Sequence, residues 1–221
     1  YKLFSLQIKN ANWYTEKSLA NQLRFSLIFS KRGAILDRNN LVIAENKENP
    51  ETYYLERDYK NTNGIGNIVG FVKYPQVDKN GFFYQTELKG IDGVEKAFDN
   101  DLSGENGVKI IEVNSANKIQ SESTTKNPKD GKNIKLSIDY ELSKKLYDTI
   151  EALSAEKGFG GGAAALMDVE TGELIAMTSF PDYSPQIVTD GKNNSIIKKY
   201  SEDSRKPYLN KITQGLYTPG S

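Results

Sequence analysis

Lys126-Asn-Pro-Lys-Asp-Gly131 is the stretch of this chain least able to sit inside a helix or a sheet. Pro128 lacks an N–H and fixes φ. Gly131 accepts backbone angles that other residues avoid, and Asn-Pro starts turns. A boundary there divides the chain into residues 1–127 and 128–221, and each part must find its own buried face. Formal net charge is zero, from 29 basic and 29 acidic side chains, so no basic field is available for nucleic acid. The 37% apolar share is enough for a core and suits an elongated, polar protein of thin layers.

After the boundary, Ile134, Leu136 and Ile138 alternate as in a half-buried strand. Asp139 is placed to cap a helix whose apolar stripe is Leu142, Leu146, Ile150 and Leu153, and Lys157-Gly158 ends it. Gly160 to Asp168 reads as a strand of small residues that a neighbour can approach closely. Val169 to Gly172 turns the chain, and Glu173 to Ser179 returns as a second strand that Pro181 and Pro185 stop. Beyond Pro185 periodic apolar positions are sparse, which predicts a polar tail that is loosely held or borrows a neighbour's surface.

Before the boundary, residues 2–30 read as two helices, the second capped by Thr15; their stripe serves packing or a stalk. Lys31 to Ala44 reads as strand, Asn-Asn turn, strand, with Ile35 and Leu41 to Ile43 buried and a cluster of Arg32, Asp37 and Arg38 beside the turn. Thr52 to Leu55 is a short strand and 74–90 a polar loop. Gly64, Gly66 and Gly70 lack the spacing and the lysine of a phosphate loop. Gly90 to Gly104 predicts a short helix with Val94, Phe98 and Leu102 inward and Gly104 as C-cap. Asp99, Asp101 and Glu105 do not have EF-hand spacing. Val108 to Val113 and Lys118 to Thr124 predict a hairpin.

The chain has neither cysteine nor histidine. Disulfides, thiolate chemistry and His-based triads are excluded, so a nucleophile here would need Lys, Tyr or a carboxylate as its base. No apolar run reaches the ~20 residues that span a bilayer. The start at Tyr1 and the stop at Ser221 both read as cut edges. The last five residues, Tyr217-Thr-Pro-Gly-Ser221, have the form of an approach to a nucleophile: Pro219 and Gly220 make a turn and Ser221 would begin a helix. Ser115/Lys118, Ser123/Lys126, Ser154/Lys157 and Ser195/Lys198 all have the S-x-x-K spacing, but none follows a Pro-Gly turn; Ser195 has the best context of the four.

Several stretches resemble one family in order. Arg32-Gly-Ala-Ile-Leu-Asp-Arg-Asn39 is similar to the R-G-x-I-x-D-R-N motif of class B penicillin-binding proteins. Gly90-Ile-Asp-Gly-Val-Glu-Lys-Ala-Phe-Asp99, with Leu102-Ser-Gly104, resembles their second pedestal motif. Ala165 to Tyr183 resembles the hairpin that opens their transpeptidase domain, and Asn210-Lys-Ile with Gln214 to Ser221 resembles the entry to their S-x-x-K, with Lys211-Ile212 where Arg-Ala is usual. The resemblance implies an α+β fold: a mixed pedestal of small sheets and helices over 1–127, then the first strand, helix and hairpin of a transpeptidase domain over 128–221. It implies a parent serine D,D-transpeptidase of the elongation type that cross-links peptidoglycan stem peptides through Ser221 and is blocked by β-lactams. Arg32, Gly33, Asp37, Arg38, Gly93, Glu95 and Gly104 would be its structural motif residues. No metal or cofactor is implied. The implied partners are a cell-wall polymerase, elongation scaffold proteins and the membrane, through an N-terminal anchor, at the outer face of the cytoplasmic membrane. The lysine after Ser221 and the S-x-N and K-T-G motifs are not in these residues, so the chain alone is expected to be inert. A complete non-catalytic interaction module, a division-type enzyme and a β-lactam sensor are the alternatives.

Overall fold

The structure is a computed structural model that describes residues 23–52, 54–79, 83–113 and 119–216. In chain order the strands of its first half are β1 (Leu23–Ile28), β2 (Ile35–Leu36), β3 (Val42–Lys47), β4 (Glu56–Tyr59), β5 (Val72–Lys73), β6 (Gln76–Val77), β7 (Phe83–Gln85) and β8 (Lys89–Gly90). Helices α1 (Gly66–Val69), α2 (Gly93–Ala97) and α3 (Asp99–Leu102) lie among and after them. Then come β9 (Gly107–Val113), β10 (Ile119–Lys126), β11 (Ile134–Lys135), α4 (Tyr140–Lys157), β12 (Gly162–Met167), β13 (Leu174–Phe180), α5 (Pro185–Asp190) and α6 (Asn194–Glu202). The fold is α+β, with small sheets and mostly short helices.

Contacts group the chain into two units interleaved in sequence: residues 1–30 with 105–129, and 31–104 with 130–221. The first unit is a three-stranded antiparallel sheet in the order β1-β9-β10. The expected hairpin is β9–β10, with Ile119 opposite Val113 and bulges between Ile119 and Ser121 and between Thr124 and Lys126. The helical expectation for 2–30 is corrected over its last part: Leu23 to Ile28 is a strand, paired from Leu23↔Glu112 to Ile28↔Gly107. Leu23, Phe25 and Leu27 alternate with Arg24 and Ser26, and that two-residue period suits a pleated ribbon better than a helix. The rest of that expectation lies outside the described residues.

The second unit is built on a four-stranded sheet, order β11-β2-β3-β4, in which β11 runs parallel to β2 and the other pairs are antiparallel. Ile35, Ile43, Ala44, Tyr59, Ile65, Val69, Leu102 and Tyr140 form one buried cluster on it. α4 follows from its caps: Asp139 accepts from the Leu142 N–H at 3.0 Å, and Gly158 closes it at φ 77°. The helix lies on the β12–β13 hairpin, where the Ser143 hydroxyl accepts from the Met177 N–H. Its deepest residues are Tyr140 and Ser143, while Leu153 is exposed.

Three further expectations change. The loop over 74–90 contains β6, β7 and β8. The helix over 90–104 is two helices broken at Phe98, which is exposed. The tail after Pro185 contains α5 and α6, the second capped by Asn193, and as far as residue 211 it is packed down, with Pro207 and Lys211 buried.

Candidate functional site

Two sequence motifs meet at one carboxylate. Glu95, on α2, is fully buried and lies between Arg32 and Arg57, which are 2% and 1% exposed. Arg32 Nε donates to Glu95 Oε2 at 2.7 Å and Arg57 Nε to Glu95 Oε1 at 2.8 Å. Tyr59 Oη adds a third donor, to Oε1 at 3.2 Å. Burial, then the Glu95 charge, raises the Tyr59 phenol well above its ordinary pKa, so it stays a donor. The guanidinium forks also hold backbone carbonyls: Arg32 donates to Leu88 O and Glu95 O at 2.8 Å each, and Arg57 to Gly33 O at 2.9 Å. Arg32 also meets Asp99 at 2.8 Å. This node fastens the segment before β2, strand β4 and helix α2 together, and because its groups are buried, losing one of them would leave an uncompensated charge.

The remaining motif residues have separate tasks. Gly33 is where the Arg32 segment passes the chain at 132; a Cβ there would lie 1.9 Å from Lys132 O. Gly93 and Gly104 adopt φ of 57° and 66° at the ends of the α2–α3 segment. Asp37 is 1% exposed and organises the β2–β3 turn: Oδ1 accepts from the Asn39 and Leu41 N–H groups at 2.7 and 2.8 Å, and Oδ2 accepts from Tyr140 N at 3.3 Å. The Arg38 N–H donates to Ile138 O, and Asn39 Nδ2 to Asp139 Oδ2. The expected single cluster of Arg32, Asp37 and Arg38 is therefore two networks, one around Glu95 and one joining the turn to the start of α4.

Sequence reasoning missed Arg57, Asn67 and Asp182. Asp182, just after the cis Phe180–Pro181 bond, accepts from Gly66 N at 2.6 Å, Asn67 N at 3.1 Å, Asn67 Nδ2 at 2.7 Å and Tyr183 N at 2.8 Å. Burial pushes its carboxyl up to about 7 against those four donors. The glycine-rich stretch at 64–70 thus receives a carboxylate of the chain itself at the start of α1, and Gly66 has no room for a Cβ beside Tyr183 O. Arg57 had a readable signal: Arg57 and Tyr59 alternate with Glu56 and Asp58, which puts them on one face of β4.

Ser221 lies outside the described residues, as does Ser115/Lys118. The segment leading to Ser221 is fixed as far as Gln214, whose N–H donates to Asn210 O. Lys211 is buried, its N–H donates to Ser179 Oγ at 3.2 Å, and burial lowers its pKa. The described serine–lysine pairs have other partners. Ser195 Oγ donates to Asn193 while Lys198 meets Glu202, and Ser154 Oγ donates to Phe159 O while Lys157 meets Glu156. Lys126 of the Ser123 pair meets Glu105. Among the described residues no group of carboxylates could hold a metal ion, and no helix is long and apolar enough to cross a membrane.

Residues 52–136 match the family described as Penicillin-binding Protein dimerisation domain. Peptidoglycan D,D-transpeptidase MrdA of Salmonella typhimurium is 31% identical over 178 residues, 76% of this chain and 27% of that protein. Penicillin-binding protein 3 of Bacillus subtilis is 33% identical over 143 residues, 65% of this chain and 20% of that protein. The crystal structure of Pseudomonas aeruginosa PBP2 in complex with WCK 5153 superposes with a TM-score of 0.67 at 26% identity, covering 90% of this chain and 39% of that one. The chain spans about a quarter of the length of the MrdA relatives it matches. It is a relative of the class B penicillin-binding proteins of the elongation type.

Proposed function

We propose that this relative of the elongation-type penicillin-binding proteins is the pedestal, residues 1–127, and the opening of the transpeptidase domain, residues 128–221, of a serine D,D-transpeptidase. Ser221 is the residue acylated by a peptidoglycan stem peptide, and by a β-lactam in its place. The observation that carries this reading is the fold match over nine-tenths of the chain. The chemistry agrees with it. A serine at the start of a helix offers its own N–H to the developing oxyanion, and a lysine one turn on can take its proton once burial and nearby charge lower the lysine pKa. Neither that lysine nor the strand giving the second oxyanion donor is among these 221 residues, so the chain alone is inert and acts in positioning and partner binding. Arg32, Gly33, Asp37, Arg38, Gly93, Glu95 and Gly104 serve it as the rigid frame that holds the pedestal's segments in register. The pedestal holds the transpeptidase at a set distance from the outer face of the cytoplasmic membrane, beside a cell-wall polymerase and scaffold proteins of elongation.

A fluorescent penicillin tests the reading. The full-length gene product becomes labelled on the peptide containing Ser221, and Ser221→Ala abolishes the label. The 221-residue chain stays unlabelled. A label that persists in Ser221→Ala, or that appears on the 221-residue chain, overturns it.

A further inference from the structure

We infer that Asn67 is a positioning residue for Ser221: it ties the pedestal to the tail that leads into that serine, an inference that rests on Ser221 being the nucleophile. Asn67 sits on α1, only 7% exposed, with Gly66 before it and Ile68 after it. Its side-chain amide has two hydrogens, and both are in use. One goes to Asp182 Oδ1 at 2.7 Å, the other to Pro207 O at 2.9 Å. Its Oδ1 is buried without a hydrogen-bond partner. That asymmetry fixes the amide's orientation, because a flip would set the carboxamide oxygen against a carboxylate and a carbonyl. The residue leaves its own acceptor unsatisfied while joining two segments 115 and 140 positions away.

The two segments are the ones that aim the tail. Asp182 ends the turn after β13. Pro207 is fully buried, and Asn67 supplies the donor for its carbonyl. From there short bonds carry position toward Ser221. Leu209 N donates to Lys206 O at 3.0 Å, and Lys211 Nζ to the same carbonyl at 3.2 Å. Ser179 Oγ donates to Leu209 O and accepts from Lys211 N, both at 3.2 Å. Asn210 then accepts from Ile212, Thr213 and Gln214. The tail at 203–216 has little regular secondary structure of its own, so such ties decide where it runs. A nucleophile misplaced by about 1 Å can lose a hundred-fold in rate. Other bonds join the pedestal side to 178–189, such as Gly66 N to Asp182 and Tyr59 N to Gln186. Among the described residues Asn67 also reaches Pro207 in the tail itself, so it couples the pedestal to the serine's position.

The experiment uses the full-length gene product and its Asn67→Ala and Asn67→Ser variants. Stopped-flow acylation by a fluorescent penicillin separates the dissociation constant of the initial complex from the acylation rate constant. Expected is an acylation rate constant at least about ten-fold lower, with the dissociation constant within about two-fold and full occupancy of Ser221 at long times. A residue that only stabilises the fold would lower the fraction of active molecules and leave the rate constant of the folded ones unchanged, and that result overturns the inference. Hydrogen exchange gives an independent reading. The amides of Leu209, Lys211 and Gln214 exchange faster in the variants while those of α4 do not, and unchanged exchange there overturns the tie itself. If the unmodified protein takes no label at Ser221, the nucleophile reading fails, and the exchange result still decides whether Asn67 holds the tail.

Discussion

Glu95→Gln keeps the shape of the residue and removes its charge, which isolates the part of the node that matters most. In the native arrangement Oε1 accepts from Arg57 and Tyr59, and Oε2 from Arg32. A glutamine can present an oxygen to only one of those sides and must turn its NH₂ toward a donor on the other. The consequence is unequal for the two arginines. Arg32 retains Asp99 at 2.8 Å, whereas among the described residues Arg57 has no second carboxylate in a salt bridge, and its Nη2 is already buried without a partner. The charge left uncompensated is therefore that of Arg57, at 1% exposure. Breaking a buried pair in this way costs about 3–5 kcal/mol, which for a chain of this size lowers Tm by roughly 6–20 °C. Urea unfolding followed by far-UV circular dichroism measures it without adding a screening salt. Arg57→Met in the Glu95→Gln background removes the orphaned charge, so the double variant should lose at least about 1 kcal/mol less than the sum of the two single losses. A Glu95→Gln loss under about 1 kcal/mol, or strictly additive losses, would mean that water or rearrangement compensates Arg57 and that no buried charge is orphaned.

Asp182, with its carboxyl raised to about 7 by burial, binds a proton in the folded chain across a range where the unfolded chain has lost it. Its stabilising contribution is complete below about pH 4 and is lost as pH rises through 7. Unfolding midpoints from pH 4 to 8 should therefore slope downward more in the native chain than in Asp182→Asn. Gly33→Ala drives a Cβ to 1.9 Å from Lys132 O, a backbone clash with no flexible end. Thermal melting should show a loss of at least about 2 kcal/mol or no cooperative transition. Asp139→Ala removes the cap bond to Leu142 N and should cost about 1 kcal/mol in the same assay. Hydrogen bonding, first from Leu142 N, lowers the Asp139 pKa, so the cap's contribution is present above about pH 4 and lost as pH falls through the lowered value.

Elements with local signals were legible. Asp139 and Gly158 mark both ends of α4, the Asn-Asn turn marks β2 and β3, and the small-residue run with its Pro181 stop marks the β12–β13 hairpin. The carboxylates and arginines that do the joining were harder. Glu95 and Arg32 stood out by resemblance, but the pairing of Arg57 with Glu95 spans 38 positions and that of Asn67 with Pro207 spans 140. No spacing rule reaches that far, because such contacts are set by how sheets and helices pack and not by the period of one element. The tail failed for a different reason: Ile196, Ile197 and Tyr200 do mark one face of α6, but a helix of 9 residues is too short for that stripe to stand out among polar neighbours.

The interleaving of the two units has a consequence for how the chain is made. β1 is translated early, yet its partner β9 follows about 80 residues later, with Ile28 set opposite Gly107. At roughly 5–20 residues per second, Leu23, Phe25 and Leu27 wait some seconds for a ladder, while β2, β3 and β4 can already assemble behind them. Non-local closure of this kind is slow to nucleate. A nascent chain stalled anywhere between those strands presents a ribbon whose backbone N–H and C=O groups have no ladder, beside Leu23 and Phe25, which stay exposed even once β9 has paired.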